Sequence, residues 1–347
     1  MAKAKPGGEN MMNNNIHHII GLDFGAGAVK FAGDAGEGHL LSQVSAADPR
    51  RKRVVNLDPT GLLKARTPDF LRADFGAFYV GPGAHEHGRP VEGLDPDRFS
   101  AGKIDTRALF CAAVAKYMAD GAAPGPLTIA VGLPLEPMLG DNAAANKAAV
   151  EGWMRGQHRF AFAPEGGRER ELDVHVERVL VTSQAAAALF YLALDDHGGV
   201  ADGELLAAEV GVISIGFATM ELFAVSGKSP VRNLCASSPV GVQRLLTLAD
   251  PERAYTLGEL DGRLRRGALD VSATLPIWAR EVEGEIRRIW GRAAKRFSRV
   301  IAVGGGALLL RRTLESAFSP YLVFPDDPIM AVARGLRKIA RGKYAKT

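Results

Sequence analysis

The chain has 347 residues, 47% hydrophobic and 24% charged, and 43 Lys and Arg against 39 Asp and Glu leave a net charge of +4. That length suits two lobes of ordinary size better than one core, and the composition is that of a soluble globular chain. Apolar runs such as 126–135 and 300–303 are strand-length and exclude a bilayer span, which needs about 20 residues.

Residues 1–15 are polar, without the apolar segment of a secretion signal or anchor, and are expected to form a disordered leader. Strand-like runs follow at 16–23, 29–33 and 40–44. A stretch rich in Pro, Gly, Asp and Arg, about 49–102, reads as an insertion. In 105–121, Phe110, Val114 and Met118 recur every fourth residue, with Asp105 as the expected N-cap and Gly121 as a stop. Strands are expected at 127–133, 178–182, 210–215 and 220–226, then a second insertion at about 230–280. A helix over 276–297 carries Ile277, Val282, Ile286, Ile289, Ala293 and Phe297 on one stripe behind Pro276 at its first position. A strand at 300–303 closes the series, and strands alternating with helices argue for α/β layers. The basic residues cluster on helical stretches (Arg287, Arg288, Arg292) and in 334–346, which predicts solvated helix faces rather than a nucleic-acid surface. Cys111 and Cys235 both sit in apolar contexts, against a disulfide framework and in keeping with a reducing cytoplasm.

The two halves echo each other. "GLDFGAGAVKFAGDAG" (21–36) and "GVISIGFATMELFAVSGK" (211–228) both read as an apolar strand, a Gly-containing turn and a second strand ending at Gly. Backbone N–H groups of such a turn converge on an anion because no Cβ blocks the approach. Two familiar phosphate loops fail on spacing. "SGKS" at 226–229 lacks the first Gly of a P-loop, Leu222 standing there, and "GGGALL" at 304–309 ends on Leu309 where a dinucleotide fingerprint needs Gly or Ala.

A third arrangement fits: one Gly hairpin per lobe, with a later strand-GGG-helix. "LDFGAGAVKFAGDAG" resembles the first phosphate loop of the actin superfamily, "VISIGFATMEL" the second, and "VIAVGGGALLLRRTLE" the adenosine motif. "VTSQAAAALFYL" is similar to the connecting helix whose leading Gln faces the γ-phosphate, and the four elements keep the family order. "AFYVGPGAH", "IAVGLPLEPML" and "DDPIMAVARGLRKIA" resemble stretches of the ParM-type bacterial actins that segregate plasmids. The resemblance spans nearly the whole chain after residue 15. It implies a two-lobed α/β ATPase fold, each lobe a mixed sheet flanked by helices with a smaller inserted subdomain. The first lobe would cover 16–204 and the second 205–347.

The same resemblance implies roles. Asp23 would hold Mg²⁺ through water, since a hard cation keeps much of its hydration; the plainer reading is an Asp closing its own turn. Lys30 would meet the β- and γ-phosphates, or be a solvated strand lysine. Gly25, Ala26 and Gly27 would offer backbone N–H groups, joined in the second loop by Ser214, Gly216 and Thr219. Gly304, Gly305 and Gly306 would let backbone approach ribose and adenine where side chains would collide. Gln184 would orient the attacking water, positioning that a neutral amide can provide in phosphoryl transfer; otherwise it satisfies local backbone. The chain departs from the pattern at Ser214, where the family has Asp, at Glu221, where Asp is usual, and at Val332, often Asn. A hydroxyl brings no charge, so nucleotide binding is expected with slower hydrolysis.

Two classes of function stay open. One is a cytoplasmic filament-forming ATPase using ATP (or GTP) and Mg²⁺, polymerising with itself and moving a plasmid through a DNA-bound adaptor, with no direct nucleic-acid or membrane contact. The other is a non-filamentous ATP-binding scaffold of the same fold. A sugar-kinase base has no signature here, and only seven residues follow Ala340, too few for a chaperone's substrate domain.

Overall fold

The computed structural model describes residues 18–47, 68–90, 101–119 and 125–344. The expected leader lies outside these, as do 48–67 and 91–100 of the first expected insertion.

The chain opens with an antiparallel meander, β1 (His18–Phe24), β2 (Ala28–Gly33) and β3 (Glu37–Leu41). Next come β4 (Val44–Ala46), β5 (Asp69–Ala73), β6 (Gly76–Val80), α1 (Ala84–His87) and β7 (Arg89–Pro90). Helix α2 (Ile104–Ala119) leads to β8 (Leu127–Leu133), and α3 (Ala143–Met154) to β9 (Gly156–Ala163) and β10 (Arg170–Ser183). These ten strands form one sheet in the order β3-β2-β1-β8-β10-β9-β5-β6-β4-β7. β8 runs parallel to β1 on one side and to β10 on the other. β1 and β8 are buried at every residue, as strands covered on both faces must be.

Helix α4 (Gln184–Ala193) follows β10 without a loop, capped by Ser183, whose hydroxyl accepts from the Ala186 N–H at 3.0 Å. After α5 (Gly203–Ala207) come β11 (Val210–Ile215), β12 (Met220–Ser226), β13 (Ser229–Pro230) and β14 (Ala236–Ser238). Helices α6 (Val242–Ala249), α7 (Leu257–Arg265) and α8 (Leu275–Trp290) precede β15 (Arg299–Val303). Then follow α9 (Gly305–Leu309), α10 (Arg311–Phe318), β16 (Leu322–Val323) and α11 (Ala331–Tyr344). The second sheet runs β13-β12-β11-β15-β16, with β14 also on β12. The expected α/β class is borne out as two mixed sheets flanked by helices.

The echo between the halves reaches the strand register. Four residues separate Phe24 from its partner Val29, and four separate Ile215 from Met220. One step back, Asp23 faces Lys30 in the first hairpin and Ser214 faces Glu221 in the second. A parallel strand flanks each hairpin, with Gly132 level with Asp23 and Val303 level with Ser214.

One core fills the first sheet and α2, and another the second sheet with α6 to α10. A third lies between the sheets, where α4 and α11 contribute many alanines against β1, β8, β11, β12 and β15. α11 packs on β1, β8 and α4, so close that a Cβ at Gly21 would overlap the Ala333 carbonyl and one at Gly335 the Ala187 carbonyl.

Several local expectations are corrected. The single strand over 40–44 is two, broken at 42–43, where the chain leaves β3 to join the far end of the sheet as β4. The long helix over 276–297 stops at Trp290: Gly291 takes φ 46° and a 3₁₀ turn continues to Arg296. Asp105 lies inside α2, which begins at Ile104, and Pro276 is the second residue of α8. The run 178–182 is only the end of a 14-residue strand paired with β9.

Candidate functional site

Both hairpins put a row of polar side chains across their strands, and residues level on neighbouring strands share a face of the sheet. In the first row Asp23, Lys30 and His39 stand side by side on β1, β2 and β3. Lys30 Nζ donates to Asp23 Oδ2 at 2.9 Å. Burial lowers the pKa of His39, and the positive charges of Arg265 and Lys30 lower it further. In the second row Ser214, Glu221 and Ser237 stand on β11, β12 and β14.

Glu221 is buried, its Oε1 accepting from the Leu135 N–H at 2.8 Å. Burial pushes its pKa up to about 8, and the Asp23 charge adds to the rise against the opposing Leu135 hydrogen bond. The folded chain therefore keeps this proton while the unfolded chain loses it from about pH 4.5. Stability from the neutral carboxyl is complete below that pH and lost as the pH climbs towards 8. Between pH 5.5 and 7.5 the wild type should lose about 2 to 3 kcal/mol relative to Glu221→Gln, read from urea midpoints. Parallel profiles for the two proteins would refute this.

The turns joining the strands have a shared polarity. In the first, the Gly25 carbonyl accepts from the Ser42 hydroxyl at 2.7 Å and the Gly27 carbonyl from the Ser42 N–H at 3.0 Å. In the second, the carbonyls of Gly216, Phe217 and Ala218 accept from the N–H groups of Val242, Gln243 and Gly241 at 3.0, 2.7 and 3.3 Å. These donors belong to the start of α6, which would otherwise lack partners. The N–H groups of Ala26, Gly27, Phe217 and Ala218 have no acceptor among the described residues. Carbonyls tied back and amides left over make an anion-binding edge. The two turns touch: a Cβ on Gly27 would stand 2.8 Å from the Phe217 Cβ.

Gln184 opens α4 beside both lobes. Its amide nitrogen lies 3.4 Å from the carbonyl oxygens of Phe24 and Gly132, on β1 and β8, so its bonds are not local and Oε1 remains an acceptor. At the end of β15 the three glycines divide. A Cβ at Gly304 (φ 93°) would overlap the Ile215 carbonyl, and one at Gly306 the Ile215 side chain. These two are demanded by packing against β11, a reason different from the expected ligand approach. Only Gly305 meets open space.

All twelve residues expected at a site line one cleft of about 400 Å³ between the lobes. Asp23 and Ser214 offer oxygen, the donor a hard cation takes, and Mg²⁺ draws its other ligands from phosphate and water. Among the described residues no group of three or more His, Cys, Asp or Glu side chains could hold a metal alone.

Residues 21–186 match the family model described as Actin like proteins N terminal domain. Apo psk41 ParM is similar over 95% of this chain and 98% of its own, at 15% identity and a TM-score of 0.70. The chain has the actin-like fold. The archaeal actin homologue Ta0583, solved in complex with ADP, matches 93% of this chain and 98% of its own (20% identity, TM-score 0.68). The 15-stranded ParM filament from Clostridium botulinum matches 94% and 99% (16% identity, TM-score 0.67). No curated protein matches the chain.

The cleft also has walls that the sequence did not announce. Arg265 and Asp261, paired one turn apart on α7 at 2.8 Å, line it from the second expected insertion, and His39 lines it from β3. The spacing of Asp261 and Arg265 signals a helical ion pair, but nothing local says which cavity it borders. Val332, at the start of α11, also lines the cleft. Among the described residues no helix is long and apolar enough to cross a membrane.

Proposed function

We propose that this actin-like protein binds ATP (or GTP) with Mg²⁺ in the cleft, assembles head to tail into filaments, and hydrolyses the nucleotide to release them. The carrying observation is the pair of hairpin turns, one per lobe, whose unpaired amides and facing Asp23 and Lys30 border one cavity. The backbone N–H groups of both turns would take the phosphate oxygens, and Lys30 would leave Asp23 to share that charge. Asp23 would then orient metal-bound waters, and Gln184 Oε1 would accept from the attacking water. Mg²⁺, when bound, neutralises phosphate charge. Relatives with the fold support the two halves of the reading, one solved with ADP and one as a filament. A heterologous contact that does not close gives such a filament. Segregation of a plasmid through a DNA-bound adaptor, in the cytoplasm, is the use proposed for it.

Right-angle light scattering after addition of ATP and Mg²⁺, with phosphate release followed in parallel, tests this. A rise that decays as phosphate appears supports a dynamic filament. No rise, at concentrations where nucleotide is bound, overturns assembly and leaves the scaffold. Gly305→Val separates ligand approach from packing. It should hold stability within about 0.5 kcal/mol and weaken nucleotide binding at least about tenfold, read by thermal unfolding and a fluorescent ADP analogue.

A further inference from the structure

Ser42 and Gln43, between β3 and β4, reach into both lobes. Ser42 is spent on the first turn, where it holds the carbonyls of Gly25 and Gly27. Gln43 holds two other parts of the fold. Its carbonyl accepts from the Gly81 N–H at 2.9 Å, fixing the step from β6 to α1. Its amide nitrogen donates to the Gly258 carbonyl at 3.3 Å, on α7 of the second lobe. That helix carries Asp261 and Arg265, which line the cleft. Gly258 is the second residue of α7, and its φ lies outside the left-handed region. The helix itself would therefore take any side chain there, and alanine more readily than glycine. The reason for glycine lies in its neighbours. A Cβ would stand 3.1 Å from His85 Nδ1, on α1, and 3.2 Å from Gln43 Nε2, both closer than ordinary contact. α7 thus lies against the first lobe at a separation that leaves no room for a side chain.

We propose that Gln43 governs nucleotide release: it ties the turn that Ser42 holds to α7 in the other lobe, and nucleotide leaves when the Gln43–Gly258 contact parts. The inference rests on the nucleotide reading. Gln43 is a positioning residue, outside the lining of the cleft, and it acts through its neighbours. An anion on the free amides of Ala26 and Gly27 fixes the turn, and the turn fixes Ser42. The next residue then keeps its amide on Gly258, which holds the cleft-lining face of α7 in place.

The experiment loads the full chain with a fluorescent ADP analogue and Mg²⁺, chases it with excess ADP, and takes the release rate from the decay of the signal. Gln43→Met, similar in shape but without a donor, should speed release about fivefold, the worth of one net hydrogen bond. Gly258→Val should speed it at least as much, because its methyl groups take the place of the Gln43 amide. The double variant should release no faster than Gly258→Val, since both changes break one contact. Single variants that release at the wild-type rate, or effects that multiply in the double variant, overturn the proposal. The thermal midpoint of nucleotide-free Gln43→Met should stay within about three degrees of wild type. A larger fall would make the contact a prop of the fold rather than a control on release, and would also overturn it. If Gly258→Val does not fold, Gln43→Met decides alone. A wild type that binds no ADP overturns the nucleotide reading itself, and this inference with it.

Discussion

Gln184→Ala should let filaments form with ATP and then persist, with phosphate release slowed about a hundred-fold or more. The side chain is held from two directions, its amide nitrogen near the Phe24 and Gly132 carbonyls, so the free Oε1 has one fixed position. A water there would be oriented without a strong base, which is the kind of help phosphoryl transfer needs. Alanine removes the acceptor while leaving the anion-binding turns untouched. In the scattering assay the signal should climb as in wild type and stay at its plateau. Phosphate release at the wild-type rate would remove Gln184 from the mechanism.

The second large effect concerns the fold. Gly335→Val should lower stability by more than about 3 kcal/mol, because the new side chain must displace the Ala187 backbone where α11 crosses α4. Relief cannot come from rotating a neighbour, since the opposing atom is a carbonyl oxygen within a helix. β1 lies beneath the same helix, with Gly21 against the Ala333 carbonyl, so separation would spread into the first sheet. Thermal unfolding of the variant measures the loss. A midpoint within a degree or two of wild type would mean the helices can part without consequence.

How much of this could be read from residues alone depends on the range over which each feature is specified. The hairpins at 21–36 and 211–228 were legible because apolar strands, small turns and returning strands are all local. The β9–β10 hairpin was not. Outside its buried Phe160, Phe162, Val174 and Val176, it presents Glu171, Asp173, His175 and Glu177, and a ribbon so charged resembles a loop. The break at Gly291 was hidden by an apolar stripe that runs through it to Ala293 and Phe297. At the cleft, the twelve residues from four separate stretches were brought together by the family pattern rather than by periodicity. Glu221 read only as a departure, since its place between Ser214 and Ser237 exists only once three strands pair. The link from α6 to the second turn was equally invisible, being made by backbone atoms of 241–243.

The crossing of α11 onto β1, β8 and α4 bears on how the chain is made. A ribosome finishes the first ten strands long before it reaches residue 331, and until then one face of β1 and β8 lacks its cover. The earliest sheet to be synthesised does not receive this cover until residues 331–344 have emerged. During that interval its apolar face is open to chaperones, or to a neighbouring nascent chain on the same message.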